Sequence, residues 1–256
     1  MDAGLVIAII SGWLLGGLVN YLADVLPRRR RLTRPFCFHC QADQSGWLYG
    51  LWPARCQKCG MRRSWRAWVV HVAGAAVAGF LWMNQSYSLP FWLNLLVWVY
   101  FGLVIVIDLE HRLILHVTSW AGAALGLVVG IWLHGVPATL LGGAAGYGLM
   151  LGMYGLGNVF VRFMSRRRKL GENDAPIEDA LGYGDVNLAG VMGLMLGWPG
   201  VLAGLVVAIL LGGVVSLLYL LTALLFRRYQ AFAAIPYGPF LAGAVLYLLY
   251  LRVIQL

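Results

Sequence analysis

Charge is scarce in this chain and unevenly placed. Of its 256 residues 11% are charged and 61% hydrophobic, with a mean hydropathy of +0.78. A soluble domain of this length could not bury so much apolar surface, so the expected fold class is an all-α polytopic membrane protein. Acids are the rarer sign, ten Asp and Glu against nineteen Lys and Arg. Cysteine is confined to four positions in one short stretch, which argues against a secreted, disulfide-stapled scaffold. Met1-Asp2-Ala3-Gly4 lacks the basic region and small-residue cleavage site of a signal peptide. The positive cluster follows the first apolar run, which reads as an uncleaved anchor.

What is present is a series of apolar spans near 3–26, 67–84, 91–107, 114–133, 137–161, 185–197, 200–226 and 234–254, about eight in all, that at 185–197 short for a crossing. Alternate loops then fall on opposite sides, and one side collects 18 of the 19 basic residues, leaving Arg252 on the other. Such a bias orients a chain by the positive-inside rule, giving basic loops in the cytoplasm and both termini outside. The excess of positive charge is thus topological, and no nucleic-acid partner is expected. The chain divides into a first helix (1–26), a cytoplasmic insert (27–66) and a membrane domain (67–256).

The insert holds Cys37-Phe38-His39-Cys40 and Cys56-Gln57-Lys58-Cys59. Two CxxC pairs fifteen residues apart point to a tetrahedral four-cysteine site, with structural zinc as the expected metal. A reducing compartment disfavours disulfides there, and a redox dithiol would need only one pair. With four protein ligands such a metal folds the insert and does no chemistry. His39 is expected to flank the metal, and His71, in the next span, to be a satisfied interior histidine. Gly12 and Gly16 in the first span, and the glycines between 142 and 157, suit close helix contacts.

Two aspartates end apolar runs: Asp108 in Ile107-Asp108-Leu109-Glu110, and Asp185 in Ala180-Leu181-Gly182-Tyr183-Gly184-Asp185. A carboxylate at a membrane helix end needs water, a cation or a task. One reading is interfacial caps that balance nearby arginines. The other is a dyad that shares one proton and activates water. Gly182 and Gly184, lacking side chains, would let a substrate backbone approach Asp185. Ile235-Pro236-Tyr237-Gly238-Pro239-Phe240 implies interrupted helix backbone, tolerated where it lines a cavity or packs on protein.

Together these features resemble the type IV prepilin peptidases, membrane aspartic proteases of the GxGD type. Leu181-Gly182-Tyr183-Gly184-Asp185-Val186-Asn187-Leu188, with Gly193, Leu196, Gly197 and Trp198, is similar to the family's second aspartate motif. Ile107-Asp108-Leu109 is similar to the first. The run from Ile235 to Leu241 resembles the late proline–glycine motif, Gly16, Asn20, Leu26 and Pro27 keep the spacing of the first-helix motif, and the cysteine insert sits where bacterial members carry theirs. The resemblance implies an enzyme of the bacterial inner membrane with a catalytic pair, Asp108 and Asp185. Its substrates would be type IV prepilins or pseudopilins, cleaved behind a short basic leader at the cytoplasmic face. The site would be shaped by Gly182, Gly184, Pro236, Gly238 and Pro239.

Many bacterial members also methylate the new amino terminus with S-adenosylmethionine. Here several positions depart from the pattern. Asn187 replaces a lysine, Leu115-His116 a Pro-Asp or Pro-Asn pair, His71 a glutamate and Val25 an arginine, and the insert is shorter. These changes leave hydrolysis intact and count against methyl transfer. Two other readings are an intramembrane protease of the presenilin or signal peptide peptidase kind, and a non-catalytic transporter or assembly factor with proton-carrying aspartates. The paired CxxC insert weighs against the first, and the helix-end position of both acids against the second.

Overall fold

The computed structural model describes residues 2–52, 55–84, 88–168, 182–226 and 236–251. The acidic stretch 172–179, Ala180, Leu181, Arg227, Arg228, Ile235 and Arg252 lie outside the described residues. The chain forms two compact units, Met1–His111 and Arg112–Leu256. The insert and the first helix lie in the first of these units. Among the described residues the structure is helical apart from turns and one isolated bridge, Phe36 to Asp43.

The first unit contains α1 (Ala3–Arg29), α2 (Gly46–Leu51), α3 (Trp65–Met83) and α4 (Phe91–His111). The two expected glycines bring α1 against α3 backbone to backbone. A Cβ on Gly16 would stand 2.8 Å from the Val70 carbonyl oxygen, and one on Gly74 2.5 Å from that of Gly12. Helix association inside a bilayer depends on such contact, because lipid offers no hydrophobic gradient to drive it. Contrary to expectation α1 does not stop at Leu26-Pro27. It continues to Arg29 and closes where Arg30, at φ 52°, returns its N–H to Leu26 at 3.0 Å. Proline has a helical φ and forfeits one backbone bond, and the helix ends two residues beyond Pro27. Ser64 caps α3 by accepting from the Arg66 amide. Arg112, at φ 52°, follows the last turn of α4.

The second unit contains α5 (His116–Arg168), α6 (Tyr183–Leu196), α7 (Gly200–Leu225) and α8 (Gly238–Leu251). The spans expected at 114–133 and 137–161 form one element broken at Gly135 (φ 75°, ψ 170°), with no separate loop. That left-handed residue turns the chain back, and Pro137 suits the first turn of the second half. The halves lie side by side: a Cβ on Gly130 would meet the Thr139 hydroxyl oxygen at 2.8 Å. At about 1.5 Å per residue the 45 apolar residues His116–Phe160 measure roughly twice the ~30 Å hydrocarbon core, enough for two crossings.

α6 fits against the glycine face of α5. Cβ atoms on Gly142 and Gly143 would lie 2.7 Å from the Gly197 Cα and 2.8 Å from the Leu194 Cγ. Gly148, Gly152 and Gly155 face open space, so only part of the glycine run serves packing. Among the described residues five helices are long and apolar enough to span a membrane: α1, α3, α4, α5 and α7. α6 and α8, at 14 residues each, are shorter than the ~20 residues a crossing needs. Outward-facing apolar side chains are abundant. Trp120, Leu156 and Leu225 are each more than 70% exposed, as a lipid-facing surface requires.

Candidate active site and metal centre

The cysteine insert is built as two matching turns. In each, the first cysteine's carbonyl accepts from the amide four residues on, Gln41 to Cys37 and Gly60 to Cys56, both at 2.9 Å. Each first cysteine's own amide donates five residues ahead, to Ala42 and to Met61, again at 2.9 Å. The residue after each second cysteine is left-handed, Gln41 at φ 56° and Gly60 at φ 70°. The turns bring the four sulfurs within 4.8 Å of one another, with Cys37–Cys59 at 3.6 Å and Cys40–Cys56 at 3.7 Å. No disulfide links them. A tetrahedron of thiolates about 2.3 Å from a zinc ion has edges of roughly 3.8 Å, so the four sulfurs fit a metal of that size. The N–H groups of Cys59 and Lys58 hold the Cys56 thiol down to about 6. At Cys59 the Met61 amide pulls the same way but is outweighed by burial and the neighbouring sulfurs, which push it up to about 12. The thiolate is thus favoured at Cys56 and disfavoured at Cys59, and a metal here would be held through deprotonated sulfurs.

Beside this centre lies a charged cluster that sequence reasoning missed. Asp24 of α1 is 3% exposed, and its carboxylate accepts from the Tyr49 hydroxyl (2.5 Å), Arg63 Nη2 (2.8 Å) and Arg66 Nη2. Arg63 also donates to the Tyr49 carbonyl at 2.7 Å and stacks 3.5 Å over the Tyr49 ring. Burial, then the Asp24 charge, raises the Tyr49 pKa, so its hydroxyl stays a donor. The other arm of Arg66 reaches Glu110 Oε2 on α4 at 2.6 Å. A signal was available: Asp24 is the one acid of α1, whose other charges, Arg28 and Arg29, stand in its last turn, and an acid among apolar residues requires a partner.

Asp108 lies in the last turn of α4 and is 4% exposed. His71 is fully buried in α3, its Nδ1 2.9 Å from the Trp13 carbonyl oxygen.

In the second unit Asp185 stands in the first turn of α6, 8% exposed, with its amide bonded to the Gly182 carbonyl at 3.0 Å. Gly182 abuts the Asp185 carboxylate, since a Cβ there would lie 3.3 Å from Oδ2. Gly184 packs instead on the chain itself: its Cβ would stand 2.6 Å from that of Ile114. Pro236, Gly238 and Pro239 form the entry to α8, with Phe240 bonded back to the Tyr237 carbonyl at 3.0 Å. The Tyr237 ring lies within electrostatic reach of Asp185, so this late motif adjoins that aspartate. A cavity of about 400 Å³ opens beside α6. Its wall includes His116, Ser119, Tyr147, Tyr183 and Asn187, and the Tyr147 and Tyr183 hydroxyls meet at 2.6 Å. Two of the departures noted in the sequence, His116 and Asn187, therefore face one space.

The fold and these centres define a helical membrane protein with a metal-type four-cysteine insert and buried acids at helix ends. Residues 93–217, just under half of the chain, match the type IV leader peptidase family. Over that segment the chain is similar to this family, which supports a peptidase. The segment contains Asp108 and Asp185 and excludes the cysteine insert and the α8 entry. No curated protein and no solved structure matches the chain.

Proposed function

We propose that this protein is a membrane aspartic endopeptidase that removes the leader of type IV prepilins or pseudopilins at the cytoplasmic face of the bacterial inner membrane. The observation that carries the reading is the family match over 93–217, which encloses two buried aspartates at helix ends. Asp108 and Asp185 form the catalytic pair. The ionised one removes a proton from water as the water oxygen attacks the scissile carbonyl. Its protonated partner donates to the carbonyl oxygen. Collapse of the tetrahedral intermediate then breaks the C–N bond, with a proton passing to the leaving amine.

Asp185 is the ionised member, because the start of α6 favours an anion and the end of α4 does not. Gly182, Gly184 and the Pro236-Gly238-Pro239 entry shape the site. Zinc held by Cys37, Cys40, Cys56 and Cys59 folds the insert and takes no part in hydrolysis. The departures at Asn187, Leu115-His116, His71 and Val25 count against methyl transfer from S-adenosylmethionine, and His71, where the family pattern has a glutamate, is buried within the helices.

The test is purified protein in detergent incubated with a prepilin, followed by gel shift and mass measurement of the new amino terminus. Leader loss that disappears in both Asp108→Asn and Asp185→Asn is the expected result, with no added methyl group. Cleavage surviving in either variant removes that residue from the pair. A wild-type protein that leaves prepilin intact removes the substrate.

A further inference from the structure

Arg66 occupies an unusual place. It sits in the first turn of α3, 15% exposed at its side chain, and its two terminal nitrogens bond two different carboxylates. Nη2 meets Asp24, buried in α1. Nη1 meets Glu110, two residues beyond Asp108 on α4 and 39% exposed. A guanidinium is flat and rigid, so with one arm fixed in a buried carboxylate the other fixes the position of whatever it grips. What it grips is the final turn of α4, the turn that carries Asp108.

We propose that Arg66 is a positioning residue, which with Asp24 and Glu110 holds the Asp108-bearing end of α4 in register with α1 and α3. The inference rests on the reading of Asp108 as catalytic. The last turn of a helix has carbonyls with no partner in the helix and frays readily. Arg112, left-handed one residue past the end, leaves nothing of α4 beyond His111 to brace it. The Arg66–Glu110 contact is half open to its surroundings, and pairs of that kind contribute about 0–1 kcal/mol to stability. Its consequence is therefore geometric, and reaction rates depend on geometry far more steeply: a misplacement of about 1 Å can cost about 100-fold. Arg63 carries the same arrangement into the insert. It grips Asp24 and the Tyr49 backbone from only four residues past Cys59, so the metal turn and the end of α4 share one buried anchor.

The test uses the full chain in detergent with a prepilin as probe, comparing Glu110→Ala, Glu110→Gln and Arg66→Lys. Glu110→Ala is expected to lower kcat about tenfold with KM within twofold, and with melting temperature and bound zinc unchanged. Glu110→Gln keeps an oxygen that accepts from Arg66 and should retain at least half of kcat. Arg66→Lys cannot reach both carboxylates and should fall with Glu110→Ala.

Hydrogen exchange over residues 104–111 gives a second readout that needs no turnover. It should quicken severalfold in Glu110→Ala and stay at the wild-type rate in Glu110→Gln. Equal exchange in all forms, or a Glu110→Ala enzyme within twofold of wild-type kcat, overturns the proposal. So does a loss of kcat matched by loss of melting temperature. Failure of the wild type to cleave prepilin overturns the peptidase reading alone, and exchange at the end of α4 then still decides the role of Arg66.

Discussion

Asp24 shows how one residue can organise its surroundings without any sequence motif of its own. Three donors from the insert and the start of α3 converge on a carboxylate that is 3% exposed. Replacing it by leucine would leave Arg63, largely buried, with no carboxylate and Arg66 with Glu110 alone, and breaking a buried ion pair costs about 3–5 kcal/mol. Asp24→Leu should therefore lower the melting temperature sharply and release the insert to protease. Asp24→Asn keeps one acceptor and should lose less. A finer difference separates the two cysteine turns. Gly60 and Gln41 share the left-handed conformation, which costs a side-chain-bearing residue about 1–2 kcal/mol. Gln41 already bears that cost and Gly60 does not. Gly60→Ala should weaken zinc binding about tenfold in competition with a chelator, and Gln41→Ala should leave it unchanged.

At the scale of the element, the seam between α5 and α6 sorts glycines that look alike in sequence. Gly142 has no room, because a Cβ would overlap the Gly197 backbone, whereas Gly148 and Gly152 face open space. Gly142→Val is expected to abolish folded protein in detergent. Gly148→Ala should raise the melting temperature slightly, since alanine is better than glycine inside a helix by about 1 kcal/mol. The existence of these helices was legible in the sequence because lipid leaves so few backbone options that apolar length nearly determines them. The CxxC turns were legible because their chemistry is local. What was not legible depends on partners far along the chain. Nothing local to Arg66 says that it reaches residue 24 on one side and residue 110 on the other. Likewise Gly184 reads as room for a substrate until Ile114 is found beside it. The break at Gly135 falls between the expected spans 114–133 and 137–161, but a break of one residue looks no different in sequence from a short loop.

For the molecule as a whole, the distribution of charge argues for an orientation and, through it, for where function resides. Ten basic residues lie within 27–66, and the same stretch holds the four cysteines and all three donors to Asp24. In the proposed orientation that stretch faces the cytoplasm, and its dense Arg and Lys would make it a ready substrate for added trypsin if it were unfolded. If the cysteines hold zinc as proposed, folding of the insert depends on two small turns and that metal, because 40 residues enclose too little apolar surface to be stable alone. Metal state and accessibility should therefore report together. In inverted membrane vesicles the zinc-loaded protein should resist trypsin between residues 34 and 63, and a strong chelator should expose that stretch within minutes. In right-side-out vesicles the same stretch should survive with or without the chelator. Cleavage in right-side-out vesicles would reverse the orientation and put the insert on the wrong face for a basic leader held in the cytoplasm. Resistance that persists after the metal is stripped would show instead that the Asp24 anchor, with its grip on Arg63, holds the insert together without help from the cysteines.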